Sequence, residues 1–362
     1  MLYIGLMSGT STDGVDAALC RISAVNSVKV LAHTALSMPA SLRAELLALN
    51  RAGHNELHRA ALAAQALVRL YATSCTKLLQ ENGLTPAAIR AIGAHGQTVR
   101  HAPELGYSWQ LNAPALLAEL TGIDVIADFR SRDLAAGGQG APLVPLFHQA
   151  IFSSAQARVV LNLGGMANIS ILRPGQPAIG FDTGPANALM DEWIDTHLGQ
   201  RYDAAGQWAA SARPHSGLLD RLLSESWLHQ PPPKSTGRDL FNSAWLAQHL
   251  AYYPDLSPAT VQATLALFTA RSIAYAIRDY AADSTELIVC GGGAYNCHLL
   301  DLLAQEIKKP VYISDGFGIG AQEVEAAAFA WLAYAYQHDI PASHPAVTGA
   351  THSRLLGAWY KA

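Results

Sequence analysis

The sequence predicts an α/β fold built from two related domains. Short apolar runs end in polar, glycine-rich loops, long stretches of helical periodicity separate them, and near residue 150 the opening pattern begins again. At 362 residues the chain exceeds what one core usually serves, so two domains of ordinary size are expected. Half of the residues are hydrophobic and only 14% are charged, a composition for packed cores rather than disorder.

The first apolar run, Met1-Leu2-Tyr3-Ile4, enters "GLMSGTSTDGVD" (5–16) and leaves as Val15-Asp16-Ala17-Ala18-Leu19: a strand, a turn and a strand running back. A third strand is expected over 28–36. Leu57, Ala61, Ala64, Leu67, Val68 and Tyr71 recur on one face of a helix over 54–80, with Gly83 as its stop. Residues 89–94 read as a buried strand delivering "HGQTVRH", 112–120 as a helix ended by Gly122, and 123–129 as a strand delivering "RSRDLAAGGQGAP". The second half repeats the beginning: a strand over 158–163, the turn "GGMAN", and a strand over 169–172. A short strand over 178–181 follows, then helices over 185–198 and 216–225, the loop "QPPPKSTGRDLFN", and helices over 242–252 and 257–281. A strand over 287–290 ends in "GGGAYN", and 321–336 forms a last apolar helix. The domains are expected over 1–150, joined by 340–362, and over 151–339, with a hinge and a cleft at their junction.

A net charge of −4 without a Lys/Arg run argues against a nucleic-acid partner, because duplex binding needs a basic stripe. No stretch reaches the roughly 18 uninterrupted apolar residues of a membrane span, and the amino terminus lacks the basic region of a signal peptide. Cys20, Cys75, Cys290 and Cys297 match no zinc spacing and suit a reducing cytoplasm.

Polar loops after apolar strands are where α/β sheets hold ligands. Gly9 and Gly14 match the two glycines of a P-loop, but Val15 and Asp16 stand where that motif needs Lys and Ser or Thr. Three glycine turns follow apolar strands: 9–14, Gly164-Gly165 and Gly291-Gly292-Gly293. Any one of them has a plain reading as a tight corner, with positive φ expected at Gly9; together they read as main-chain nests for phosphate oxygens. Asp182, in "GFDTGP", is either a carboxylate held in a turn at a site edge or the cap of the helix expected from 185. Asp128 and Arg130 flank Phe129 at a strand end and so point the same way, as a structural ion pair or as a charge pair offered to a ligand, with Arg130 able to meet a carboxylate. His95, Gln97 and Thr98 are hydrogen-bonding candidates, His95 equally a structural group. Glu325 lies on an Ala-rich helix, at a surface or at a ligand. Lys234 and Arg238 belong to the proline loop, either as closing residues or as part of a solvated segment. Asp13 or Asp16 is placed to orient Mg²⁺, which takes few protein carboxylates. The fourteen histidines show no H-E-x-x-H or comparable spacing for a transition metal.

In chain order, "GLMSGTSTDGVDAAL", "HGQTVRH", "ADFRSRDLAAGGQGAPLVPLFH", "LNLGGMANIS", "GFDTGPANALMDEW", "PPPKSTGRDLFN", "GGGAYN" and the Glu325 helix resemble the motifs of the anhydro-N-acetylmuramic acid kinase family, within the sugar kinase and actin superfamily. That resemblance implies two ribonuclease H-like (actin/hexokinase-type) domains flanking a nucleotide cleft. It implies ATP-dependent phosphorylation of 1,6-anhydro-N-acetylmuramic acid with hydrolytic opening of the anhydro bridge, a step of cell-wall recycling, in a cytoplasmic homodimer. Asp182 is then the catalytic base. Gly9, Thr10, Ser11, Thr12, Asp13, Gly14, Val15, Asp16, Gly164, Gly165, Asn168, Gly291, Gly292, Gly293 and Asn296 bind nucleotide; Asp13 is the metal carboxylate; and His95, Gln97, Thr98, Asp128, Arg130 and Glu325 meet the sugar. The alternatives are a kinase of the same superfamily for another sugar, or a nucleotide-gated, non-catalytic binding protein.

Overall fold

In the computed structural model, which describes residues 1–9 and 11–362, the chain divides into two units. One comprises Met1–Phe152 with Gly318–Ala362, the other Ser153–Phe317. The sequence reading kept 318–339 in the second domain. The helix Val324–Gln337 instead packs on the first sheet, so the chain returns to the first unit at Gly318.

The first unit opens with β1 (Leu2–Met7), β2 (Gly14–Ala24) and β3 (Ser27–Ser37), an antiparallel meander. Then come β4 (Ile89–Ala94), the separate hairpin of β5 (Gln97–Ala102) with β6 (Tyr107–Leu111), and β7 (Val125–Ala127). The sheet runs β3-β2-β1-β4-β7, with β1, β4 and β7 parallel. Ile4 and Leu6 point to one face, where they join Leu67, Val68 and Tyr71 of the helix Glu56–Glu81 in a dry core. Gly5, one residue out of phase, points to the other face. A Cβ there would fall 1.8 Å from the Ala326 carbonyl oxygen, and one on Gly93, its partner across the ladder, 1.9 Å from that of Phe329. Two facing glycines thus let the helix Val324–Gln337 lie backbone against backbone on the sheet.

The second unit repeats this order with β8 (Arg158–Leu163), β9 (Met166–Leu172), β10 (Ile179–Pro185), β11 (Leu287–Cys290) and β12 (Val311–Ile313), arranged β10-β9-β8-β11-β12. Its first three strands are again antiparallel, and β8, β11 and β12 parallel. The helix Pro258–Tyr280 packs on β10; Ser257 caps it by accepting from the Thr260 N–H at 3.2 Å, and proline takes its first position. The last strand, β13 (Ala358–Tyr360), adds antiparallel to β7 and extends the first sheet to six strands.

Two expectations shift here. The strand expected over 123–129 stops at Ala127, and the strand expected over 178–181 runs on through Asp182 to Pro185.

Candidate active site

In the first unit, the turn between β1 and β2 is closed by the Thr12 N–H donating to the Gly9 carbonyl at 3.1 Å. Among the described residues of this turn Thr12 is left-handed, at φ 53°, and Gly9 is not in the positive-φ region, contrary to expectation; among them a Cβ on Gly9 would meet only the Ser11 hydroxyl, at 3.6 Å. The openness at Gly9 is therefore spatial rather than conformational. Ser11 donates to Asp13 Oδ1 at 2.7 Å on an exposed surface. Asp16 accepts from His33 Nε2 at 3.0 Å, so of the two carboxylates considered for Mg²⁺, Asp13 is the one not engaged by a ring. Val15, in β2, is fully buried in the core, so only its main chain remains for a ligand. Thr10 lies outside the described residues.

Gln97, at the start of β5, buttresses this turn. Its amide donates to the Gly9 carbonyl at 3.0 Å and its oxygen accepts from Ser8 Oγ. His95 is buried. Nδ1 lies 3.2 Å from the Ser8 carbonyl and must donate there, which makes Nε2 the acceptor of the Arg130 Nη2 hydrogen at 2.9 Å. Burial, then the Arg130 cation, pushes its pKa down to about 3, so the ring is neutral and serves as a strut. Arg130 also donates from Nη1 to the Gly140 carbonyl at 2.8 Å. Asp128 departs from the expected geometry because β7 has already ended: it is left-handed, φ 59°, exposed, and its carboxylate accepts from the Ser131 hydroxyl at 2.6 Å. The strand alternation on which the same-side reading of Asp128 and Arg130 rested is therefore absent. Thr98 Oγ1 accepts from Gln110 at 3.3 Å. Glu325 stands half-buried in the first turn of its helix, four residues before Phe329, whose ring packs 4.8 Å from His95 and 5.6 Å from Phe129. The structure thus binds His95 and Gln97 directly to the opening turn, joins Arg130 to it through His95, and sets Glu325 one helical turn from His95's neighbour.

In the second unit, Asp182 is buried within β10, and its carboxylate caps no helix. The next helix, Asn187–Leu198, starts from Ala186 without a side-chain cap, so the capping alternative is removed. Instead the proline loop grips Asp182: its N–H donates to the Lys234 carbonyl at 3.1 Å, and the Thr236 N–H donates to Oδ2 at 2.9 Å. Lys234 is itself buried, not solvated. Its ammonium donates to the Leu228 carbonyl at 2.7 Å and sits 4.5 Å over the Trp227 ring, and burial lowers its pKa to about 8 against the opposing pull of Asp182. Arg238 approaches Glu192 at 3.9 Å.

Across the ladder Asp182 pairs with Asn168, and Asn168 with Asn162, placing three polar side chains in one row. Asn168 Oδ1 is buried with no hydrogen-bond partner among the described residues. Gly164 and Gly165 are braced from behind by the helix start: Asn187 donates to the Leu163 and Gly164 carbonyls at 3.0 and 2.9 Å, and the Ala186 N–H to Gly165 at 2.9 Å. Gly291, at φ 83°, has no room for a Cβ, which would lie 2.5 Å from Asn162 Oδ1; Gly293 is equally closed, while Gly292 faces open space. Asn296 is committed to capping the helix Cys297–Ile307, accepting from the Leu299 N–H at 3.0 Å, which leaves its amide NH₂ for any other contact. Among the described residues no group of three or more His, Cys, Asp or Glu is placed to hold a metal ion.

The family model of anhydro-N-acetylmuramic acid kinase matches residues 1–362. The chain belongs to the anhydro-N-acetylmuramic acid kinase family. Among curated members of this kinase family, that of Bordetella petrii is 59% identical, with 100% of this chain and 96% of the relative covered. The one from Variovorax paradoxus is 53% identical, with 100% and 99% covered. Among solved structures, component A of the (R)-2-hydroxyglutaryl-CoA dehydratase of Acidaminococcus fermentans shares the fold at 10% identity and TM-score 0.50, covering 93% of this chain and 98% of that one. With the common strand order of the two sheets, this makes the family's fold here α/β of the actin/hexokinase type. The sequence reading of this kinase missed the contributions of Thr236, Gly140 and Asn187. Thr236 and Gly140 act through main-chain groups that carry no residue signature; Asn187 lies within the quoted "GFDTGPANAL" and so had one.

Proposed function

We infer that this chain catalyses the reaction in its family's name: ATP-dependent phosphorylation of O6 of 1,6-anhydro-N-acetylmuramic acid with opening of the anhydro bridge, giving N-acetylmuramic acid 6-phosphate and ADP. The observation that carries this reading is Asp182, a buried carboxylate held by the Thr236 N–H and relieved of any capping duty. Water attacks the anomeric carbon and gives its proton to Asp182, the C1–O6 bond breaks through an oxocarbenium-like state, and O6 takes the γ-phosphoryl group. Phosphoryl transfer to O6 replaces the protonation a leaving oxygen ordinarily needs, so one base suffices. The orphaned Asn168 oxygen opposite Asp182 supports a bound donor there, such as the attacking water or a hydroxyl.

Arg130, held by two acceptors, suits the lactyl carboxylate, and the Gln97-braced opening turn and the Gly164 and Gly291 turns suit phosphate oxygens. Mg²⁺ fits the exposed Asp13 carboxylate, where it would neutralise phosphate charge while keeping most of its water. The product places the protein in recycling of cell-wall amino sugar. Cys20, Cys75, Cys290 and Cys297 form no disulfides, which suits a reducing cytoplasm. The homodimer rests on the family resemblance alone, and a light-scattering mass of one chain would remove it.

The reaction is tested in heavy-oxygen water, sampling the sugar phosphate before its anomeric hydroxyl exchanges. Incorporation of one solvent oxygen at C1 is expected. A phosphorylated product that keeps its anhydro bridge and gains no label would move the protein to an ordinary sugar kinase.

A further inference from the structure

Asp133 is fully buried in the first unit, and none of the roles described so far uses it. Its Oδ1 accepts from the hydroxyls of Ser343 at 2.6 Å and Thr348 at 2.7 Å; its Oδ2 accepts from the Gly140 N–H at 2.7 Å. Three short bonds onto one carboxylate are the geometry of charge-assisted hydrogen bonding. The glycine loop wraps this carboxylate closely: a Cβ on Gly138 would lie 2.3 Å from Oδ2. The same loop is stitched to the returning chain, with the Gln139 N–H donating to the Thr348 carbonyl at 2.8 Å and the Thr351 N–H to Ala136 at 2.9 Å.

Gly140 carries the consequence. Its N–H is held by Asp133, and its carbonyl accepts from Arg130 Nη1 at 2.8 Å. Arg130 Nη2 is held by His95, which the Ser8 carbonyl orients in turn. The guanidinium is thus fixed at two corners, one by the strut from the opening turn and one by a loop that Asp133 organises. Because Ser343 and Thr348 come from some 200 residues further along the chain, the aim of Arg130 depends on a distant segment.

The geometry points to Asp133, latched by Ser343 and Thr348, as a positioning residue that sets the orientation of Arg130 and thereby the enzyme's hold on the carboxylate of its sugar. This rests on the reading of Arg130 as a sugar contact. A planar, two-pronged donor is sensitive to tilt, so loosening Gly140 weakens sugar binding while leaving the nucleotide turns untouched.

The test measures KM for the anhydro sugar and for ATP, with kcat, in Thr348→Val, Asp133→Asn, Arg130→Gln and the double variants, each checked for folding by thermal melting. Thr348→Val removes one hydroxyl at nearly constant volume and keeps the test alive if Asp133→Asn fails to fold. Sugar KM is expected to rise about tenfold in either single variant, with ATP KM within about twofold. In the Arg130→Gln background neither change should add further loss, which a general loosening of the fold would not reproduce. Wild-type sugar KM in folded Thr348→Val and Asp133→Asn, beside a raised KM in Arg130→Gln, overturns the latch and leaves Arg130 as the sugar contact. Additive losses in the double variants overturn it as well. Wild-type sugar KM in Arg130→Gln itself overturns the reading of Arg130, and the latch with it.

Discussion

The two units share one strand order, yet they build the turn after their first strand in opposite ways. Between β1 and β2 the chain spends residues 8–13 on hydroxyls and a carboxylate, closed on itself through Thr12 and steadied by the Gln97 side chain. Between β8 and β9 it spends only Gly164 and Gly165, steadied from behind by Asn187. The first turn presents side chains and has room around Gly9; the second presents main chain, and the neighbouring Gly291 and Gly293 have no room at all. One topology therefore supports two kinds of turn, and Asp182, the proposed base, belongs to the unit with the tighter turns.

That comparison breaks first at Asp182. Asp182→Asn keeps the Thr236 N–H within reach of an oxygen, so the fold should persist, while kcat should fall about a hundredfold or more for loss of the general base. A folded variant turning over within tenfold of wild type would strip the second unit of its chemical role.

Acid distinguishes the units next. Burial holds His95 and His148, both in the first unit, near a pKa of about 3 instead of 6.5. Between those values the unfolded chain binds protons that the native unit does not, so stability is lost as pH falls below 6.5, by about 2 kcal/mol per ring near pH 5. In the second unit burial lowers the pKa of His249, a less enclosed ring. Amide exchange followed by mass spectrometry should show the first unit opening ahead of the second on acidification. Simultaneous opening, or the reverse order, would contradict the neutral state that burial imposes on His95 and His148.

The glycines sharpen the contrast further. Gly291→Ala should lower the denaturation midpoint by the equivalent of about 2 kcal/mol, since it combines φ 83° with a clash on Asn162. Gly9→Val, in open space, should leave the midpoint unchanged and weaken ATP binding measured by calorimetry. Equal midpoints for the two variants would mean that the turns are not built differently. The smallest effect is expected at Asn168. Asn168→Ala deletes an acceptor with no partner among the described residues, so stability should hold within about 0.5 kcal/mol while kcat drops about tenfold. Loss of stability without loss of turnover would reassign it to the sheet.

Much of this was legible in residue patterns. Gly83 and Gly122 stop helices where the sequence reading placed stops, and both are left-handed. Both hairpins and the strand over 287–290 lie where apolar runs and glycines set them. What escaped was set by tertiary contact. The run 123–129 ends on the apolar Phe129, but only Val125–Ala127 finds ladder partners; Asp128 then turns left-handed to receive Ser131. Asp182 looked like a turn residue because Gly184 and Pro185 follow it, yet Asn168 across the ladder keeps it in β10. Lys234 read as either a closing residue or part of a solvated loop, since nothing local announces the Trp227 ring and Leu228 carbonyl that bury it.

The two glycines beneath the helix Val324–Gln337 also bear on the order in which the molecule is made. Gly5 and Gly93 leave a flat strip on the first sheet that this helix covers, so Tyr3, Gly5 and Gly93 lack that cover until residues beyond 324 have left the ribosome. The second unit is one uninterrupted stretch, complete at Phe317. During synthesis the inner unit can therefore close first, and the amino-terminal sheet, though translated earliest, is the last to be sealed.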